Sequence, residues 1–136
     1  MKVRDIMITR LITVDDRKSI DYALNLMHEY AIRRIPVVAG SRLLGIIVQH
    51  DIEAALRRPG TIPESPVDWI MTKNPITTGP ETDLVDAIEL LITHKISSLP
   101  VVESGVLVGM LSEIDLLKYL ARLLHSQAEI EIEVWK

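Results

Sequence analysis

The stretch LPVVESGVLVGML, residues 99–111, decides the fold, because it reads as two runs rich in β-branched and aliphatic residues around a short connection. A connection of this length that contains a glycine, here Gly105, predicts a β-hairpin. The same arrangement stands earlier in the chain, where IPVV, AGSR and LLGIIV follow one another over residues 35–48. The sequence therefore predicts the hairpin twice.

The second hairpin belongs to a longer internal repeat. A shift of 64 residues aligns residues 3–51 with residues 67–115 without a gap, and 14 of the 49 pairs are identical. VRDIM (3–7) lies over VDWIM (67–71), and RIPVV (34–38) lies over SLPVV (98–102). Self-similarity that keeps one register over this length indicates two copies of one supersecondary unit.

Each copy also carries two helical patterns. Apolar residues recur at helical spacing before each hairpin. They follow Ser19 in the first copy and Asp83 in the second, and both are residue types that favour a helix start. The apolar residues are Ile20, Ala23, Leu24 and Met27, then Leu84, Ala87, Ile88 and Leu91. A further helix is predicted to start at Ser112, and a short strand is predicted near Ile12 and Ile76. The fold class is therefore α/β (α+β), with two β-α-β-β-α units. One such unit is too small to bury its own sheet, so we expect the two to pack through their sheets.

The predicted boundaries follow from composition. The first unit covers residues 1–56, a linker rich in Pro and Gly covers 57–66, and the second unit covers 67–122. Residues 123–136 are predicted to hold the end of the last helix and a strand tail, because residues 128–135 alternate between charged and apolar. This strand could pack on its own unit, on a dimer mate or on another protein.

Composition limits the class of protein. The chain has 136 residues, 48% of them hydrophobic, and no cysteine, which excludes disulfides and thiolate metal sites. No apolar run approaches the length of a membrane span, so we expect a soluble, cytoplasmic protein with no membrane partner. The net charge of −4 argues against non-specific nucleic-acid binding. Residues 1–58 nevertheless carry ten Lys/Arg against seven Asp/Glu, so basic side chains for a bound anion are expected there.

The doubled pattern IxxxPVV…GxxSxxD, with the DxM and IT segments before it, resembles a tandem pair of CBS domains, the Bateman module. The resemblance covers residues 1 to about 120. It implies a pseudo-two-fold pair of units that binds adenosine derivatives (AMP, ADP, ATP or S-adenosylmethionine) in clefts between them. It also implies a disc-like homodimer that senses a ligand and does not catalyse a reaction.

The resemblance assigns roles to the segment GMLSEID (109–115). In the family, the aspartate at its end binds the ribose hydroxyls and the hydroxyl residue three positions earlier meets the phosphate, which implies Asp115 and Ser112 here. A helix cap explains the same two residues. The first copy reads GIIVQHD (45–51) and keeps Asp51 with Val48 in place of the serine. A cap alone does not account for Asp51, although the helix dipole favours an acid in a first turn.

Further ligand contacts are implied by the same resemblance. Base contacts are expected from the segments before the first helix of each copy: Ile76, Thr77, Thr78 and Pro80 for the second site, and Ile12, Thr13 and Val14 for the first. A strand that enters a helix would explain these segments as well. Arg33 and Arg34 are expected to reach across the pseudo-dyad to the phosphate at Asp115, unless they are only solvated arginines. The Asp51 site lacks the hydroxyl and faces Ser97 and Ser98, so we expect one strong site and one weak or empty site.

Other functions have less support in the sequence. No catalytic grouping or phosphate-binding GxxxxGK[ST] motif is present, so we expect no enzyme and no catalytic cofactor. The four histidines, His28, His50, His94 and His125, show no metal-ligand spacing. The alternatives are a ligand-free assembly module and a nucleic-acid-binding protein that uses the basic first half. The function predicted is a stand-alone ligand sensor that acts through an unknown effector protein, with an adenosine derivative as its regulatory ligand.

Overall fold

The computed structural model describes the backbone of residues 1–132 and the side chains of residues 1–127. The short strand predicted near Ile12 lies at Val14–Asp15, whereas the one predicted near Ile76 is reduced to a single bridge between Thr78 and Val101. The described residues form six strands and four α-helices, which confirms the mixed α/β fold class. They are β1 (Val14–Asp15), α1 (Ile20–Tyr30), β2 (Arg34–Ala39), β3 (Arg42–Val48), α2 (Gln49–Leu56), β4 (Thr72–Lys73), α3 (Leu84–His94), β5 (Ser98–Glu103), β6 (Val106–Ser112) and α4 (Glu113–Ile132). Short 3₁₀ turns at Val3–Asp5 and Val67–Trp69 precede them in each copy.

The chain forms two compact units. The first unit contains residues 10–76 and 102–107, and its sheet has β1 parallel to β2, with β2–β3 and β3–β4 antiparallel. Its core is aliphatic and gathers side chains from α1, α2, the strands and the second 3₁₀ turn. Ile20, Met27, Ile35, Ile47 and Val67 are among its fully buried members.

The second unit contains residues 1–9 and 77–101 and the described part of residues 108–136. Thr78 pairs in parallel with Val101 on β5, as Val14 pairs with Val37 in the first unit. Ile8 pairs antiparallel with Met110 on β6, as Thr72 pairs with Ile46 on β3. The two units therefore repeat one pairing scheme at the 64-residue shift.

The units do not coincide with the sequence repeats, because each takes its edge segment from the other copy. Residues 1–9, from the first repeat, lie in the second unit, whereas residues 67–73 lie in the first. Gly45 and Gly109 are retained in both copies for this reason: a Cβ would stand 2.5 Å from the Thr72 carbonyl oxygen at Gly45, and 2.7 Å from Met7 Sδ at Gly109. At Gly45 the near atom is backbone, so only a residue without a side chain allows the edge segment to lie this close. At Gly109 the Ile8 carbonyl oxygen would also stand 3.0 Å from the Cβ, which makes a side chain there unfavourable.

The helix starts are capped in different ways. Ser19 caps α1, since its hydroxyl accepts a hydrogen bond of 3.0 Å from the Tyr22 N–H. Asp83 precedes α3 as predicted, but its side chain does not cap the helix. Its carboxylate accepts a hydrogen bond of 3.0 Å from Lys2 Nζ instead. The edge segment thus replaces the cap with an ion pair.

The strand predicted for residues 128–135 is wrong for residues 128–132, which continue α4 as a helix; residues 133–135 lie outside the described part. Once a helix is formed, each added residue gains a hydrogen bond at the cost of fixing one residue. A strand would need a partner strand to satisfy its backbone groups. The alternation of Glu and Ile therefore does not override the helix that precedes it.

Candidate ligand site

Ser112 and Asp115 form a closed hydrogen-bonded pair where β6 passes into α4. The Ser112 hydroxyl accepts from the Asp115 N–H at 3.2 Å and donates to Asp115 Oδ2 at 2.6 Å. The Glu113 N–H donates to the Ser97 carbonyl at 2.8 Å, which ties the start of the helix to the residue before β5. Both side chains are half-buried. The pair is a helix cap, and it also fixes the orientation of the carboxylate at a helix N-terminus.

One oxygen of this carboxylate keeps its capacity to accept. Among the described residues, Asp115 Oδ1 has no hydrogen-bond donor, while Oδ2 is held by Ser112. A carboxylate accepts up to about four hydrogen bonds, so Asp115 can receive a diol while it is held in place. The serine has a single hydroxyl proton, so a phosphate that takes it must compete with Oδ2. The arrangement suits a ligand with hydroxyl groups beside an anionic group.

The equivalent position in the first unit is simpler. Val48 stands before α2 and makes no side-chain cap, and Asp51 lies in the first turn. In the described part of the chain, the Asp51 carboxylate has neither a hydrogen bond nor an ion pair from a side chain. Asp51 is present without the hydroxyl that orients Asp115.

The predicted arginines are neighbours of this α2 start. Arg34 is the cross-strand partner of Val48, and the Arg33 carbonyl accepts a hydrogen bond of 2.9 Å from the Gln49 N–H. Ser98 and Ser97 hold the corresponding places beside Ser112 and Glu113. Both arginines belong to the first unit. Their predicted contact with a phosphate at Asp115 stays a prediction.

Thr78 carries a polar group that none of the described residues satisfies. The residue is 7% exposed, and its Oγ1 has no hydrogen-bond partner among the described residues. Its backbone N–H donates to the Pro100 carbonyl at 3.0 Å. An unsatisfied buried hydroxyl is uncommon, since its desolvation costs about 1–3 kcal/mol. The equivalent residue of the first unit is Val14, 2% exposed, which packs in the aliphatic core.

The remaining predicted residues are placed as follows. In the second unit, the Pro80 carbonyl accepts a hydrogen bond of 3.0 Å from the Arg4 N–H, and Thr77 is exposed. In the first unit, Ile12 and Ile76 are half-buried and Thr13 is exposed. The second unit therefore contains five of the predicted residues, Thr77, Thr78, Pro80, Ser112 and Asp115. The sequence prediction missed the orphaned state of Thr78, and the only signal was the Val14–Thr78 difference between the copies.

Among the described residues, no group of three or more His, Asp or Glu side chains could hold a metal ion.

The pKa is lowered for Asp15, mainly by the Arg17 backbone N–H, and for Asp83, mainly by the Lys2 ammonium. Neither belongs to the candidate site. No helix in the described part of the chain is long and apolar enough to cross a membrane.

Comparison with known proteins places two copies of one domain on this chain. The family model described as "CBS domain" matches residues 3–58 and 67–122. The CBS domain-containing protein YhcV of Bacillus subtilis is 32% identical over 114 residues, which cover 84% of this chain and 81% of that protein. Several enzymes also match, but the chain spans only a small part of them: 23% of the inosine-5'-monophosphate dehydrogenase of Korarchaeum cryptofilum, at 36% identity.

Two solved structures are similar over most of their length. The structure of CBSX2 in complex with AMP is 28% identical, with a TM-score of 0.81, and the match covers 90% of this chain and 97% of that one. The CBS domain pair of protein MJ0100, in complex with 5'-methylthioadenosine and S-adenosyl-L-methionine, is 27% identical, with a TM-score of 0.77. That match covers 93% of this chain and 98% of that one.

Proposed function

The chain belongs to the CBS-domain family as a tandem pair of these domains, and on that premise we propose that it is a regulatory module that binds an adenosine derivative. The candidate ligands are AMP, ADP, ATP and S-adenosylmethionine. The similar structures bind ligands of this class. The ligand acts as a signal and not as a catalytic cofactor.

The observation that carries the proposal is the state of the second unit's polar groups. Asp115 is oriented by Ser112, and its other oxygen receives no hydrogen bond from the residues that the structure describes. The same unit buries the Thr78 hydroxyl, which has no partner among those residues. A ribose diol would donate to Asp115, and an anionic group would meet Ser112 at the N-terminus of α4, where the dipole favours negative charge. Thr78 offers one further hydrogen bond to the ligand.

The same comparison predicts two unequal sites. The first unit keeps Asp51 but has Val48 and Val14 where the second has Ser112 and Thr78. Two hydrogen-bonding side chains are thus replaced by apolar ones. We propose that the second-unit site binds a phosphate-bearing ligand strongly, and that the site at Asp51 binds it weakly or not at all.

A ligand panel tests the ligand class. AMP, ADP, ATP, S-adenosylmethionine and NAD(H) would each be added in a thermal-shift assay, with inosine and inorganic phosphate as controls. A ligand at about 100 times its Kd stabilises the folded state by about 2.7 kcal/mol, so the expected rise is measurable. No rise with any adenosine compound would favour the ligand-free assembly module. A gel shift that depends steeply on salt would favour nucleic-acid binding.

The output of the module is proposed to pass through a partner protein. Ligand binding shifts a conformational equilibrium only by its differential affinity for the two states, so an effector must distinguish them. Affinity capture with and without AMP would identify an effector as a protein retained in one condition only. Catalysis by this chain, which we do not expect, would appear as AMP turnover. The predicted cytoplasmic location stays a prediction.

A homodimer is part of the proposal. Five large apolar side chains on α4 are each about half exposed: Ile114, Leu117, Leu120, Leu123 and Leu124. Contiguous exposed apolar side chains mark interaction surfaces, and a two-fold axis would pair this face with its copy. Light scattering should give the mass of two chains. Leu117→Glu with Leu124→Glu should give one chain, and a monomeric wild type would contradict the dimer.

A further inference from the structure

Residues 1–9 touch both chain segments that carry the second-unit site, and we call these residues the strap. On one side, the Val3 N–H donates to the Thr82 carbonyl at 2.9 Å and the Arg4 N–H donates to the Pro80 carbonyl at 3.0 Å. The Leu84 N–H donates back to the Met1 carbonyl at 2.9 Å. The strap is therefore bonded along the loop that follows Thr78.

On its other side the strap pairs with β6. The Ile8 N–H donates to the Met110 carbonyl at 2.9 Å, and the Met110 N–H donates to the Ile8 carbonyl at 3.0 Å. Met110 lies two residues before Ser112, at the end of the same strand. Val3 is fully buried, which anchors the strap between these contacts. A displacement of the strap would thus act on the Thr78 loop and on the Ser112–Asp115 pair together.

Two ion pairs add to these backbone bonds. Lys2 Nζ lies 3.0 Å from Asp83 Oδ1, and the Arg4 guanidinium pairs with the Glu81 carboxylate. The equivalent segment of the first unit, residues 65–73, is also held by backbone bonds, such as Val67 N–H to the Lys18 carbonyl at 2.8 Å. It has no ion pair within the described residues. The ionic attachment is a property of the second-unit strap.

We propose that the strap is a positioning element for the second-unit site, so that attachment of the strap and binding of the ligand stabilise each other. This inference rests on the proposed function. Lys2, Arg4, Glu81 and Asp83 are positioning residues, because they act on the segments that hold Thr78, Ser112 and Asp115. By thermodynamic linkage, if the ligand binds more tightly when the strap is attached, then the bound ligand must also stabilise the attachment of the strap. A partner that pulls residues 1–9 away would release the ligand.

Charge reversal tests the strap in two steps. The first unit has Asp68 and Arg17 where the second unit has Arg4 and Glu81, so Arg4→Glu and Glu81→Arg introduce the charge signs that the first unit already carries at these positions. Each single variant should weaken AMP binding by about two- to fivefold, since exposed ion pairs contribute modestly. The double variant should restore wild-type affinity. Arg17→Met, which removes the Arg17–Asp15 pair of the first unit, is the matched control and should leave AMP affinity unchanged.

Hydrogen exchange measures whether AMP protects the amides of the strap, which is not expected if the strap only stabilises the fold. AMP should slow exchange of the Val3 and Leu84 amides in the wild type, and this protection should shrink in Arg4→Glu and return in the double variant. Unchanged AMP affinity in Arg4→Glu, or a double variant that stays weak, would overturn the inference alone. A wild type that binds no adenosine compound would overturn the proposed function, and the inference with it.

Discussion

The Ser112 hydroxyl donates a 2.6 Å hydrogen bond to Asp115 Oδ2 and accepts a 3.2 Å hydrogen bond from the Asp115 N–H. A helix cap and an oriented carboxylate are therefore the same structure. The two interpretations left open by the sequence do not exclude each other. The remaining question is whether the affinity for the ligand also depends on the Ser112 hydroxyl.

Replacing Ser112 by the residue of the first repeat addresses this question. Ser112→Val removes the cap and should lower the free energy of unfolding by about 0.5–2 kcal/mol. It should also weaken AMP binding by about tenfold or more, because a hydrogen bond to a charged group contributes about 1.5–3 kcal/mol. Urea unfolding and calorimetry measure the two effects. A destabilised variant that binds AMP like the wild type would make Ser112 a cap only.

Thr78→Val should change stability and affinity in opposite directions. The substitution removes a buried hydroxyl without a partner, so the ligand-free protein should become more stable by about 1 kcal/mol. The ligand loses one hydrogen bond, so AMP affinity should fall by about threefold to tenfold. The reverse change in the first unit, Val14→Thr, buries a hydroxyl in an aliphatic core and should only destabilise. A Thr78→Val variant with unaltered AMP affinity would exclude a ligand role for this hydroxyl.

Arg33 and Arg34 can be assigned by isolating one site. In an Asp51→Asn background, which leaves the second-unit site intact, Arg34→Ala should weaken AMP binding by about tenfold if the arginine serves that phosphate. The same experiment applies to Arg33→Ala. Both arginines adjoin the start of α2 in their own unit. Unchanged affinity in this background would exclude a contact with the phosphate at Asp115.

The strap should be visible in a carboxyl titration. The Lys2 ammonium holds the pKa of Asp83 below its ordinary value of 3.8. Because folding lowers this pKa, the pair stabilises the fold above the ordinary value and loses its effect as the pH falls through the lowered one. Lys2→Met should raise the pKa of Asp83 towards the ordinary value. Asp15, whose pKa is lowered mainly by the Arg17 backbone N–H, is the internal control and should not move.

Local patterns in the sequence are sufficient to predict most of the helices and strands. The paired β-branched runs predicted β2–β3 and β5–β6, and Ser19 predicted the start of α1. These features depend on contacts between residues near in sequence, which periodicity and capping rules describe. The strand predicted for the tail is wrong for residues 128–132, because Glu and Ile at alternate positions fit a strand pattern, whereas the helix before them continues through Ile132.

The features that depend on distant contacts could not be predicted. Nothing in VRDIM (3–7) indicates that it joins the unit of the other repeat, because its apolar pattern fits either sheet. Gly45 and Gly109 recur at the same place in both copies, but the close approach of Thr72 and Met7 to them is a contact between residues distant in sequence. Asp83 has the position of a helix cap in the sequence, but its carboxylate accepts a hydrogen bond from Lys2, which is 81 residues away. For the candidate site, the residue types were predictable, and the Ser112–Asp115 bond and the orphaned Thr78 were not.

The most direct test of the central claim compares Asp115→Asn with Asp51→Asn in a calorimetric titration with AMP. We expect one strong site per chain in the wild type, a loss of about 10- to 100-fold in Asp115→Asn, and little change in Asp51→Asn. Both substitutions keep the shape of the side chain, and circular dichroism would verify the fold of each. Two equal sites per chain, or strong binding that survives in Asp115→Asn, would contradict the central claim.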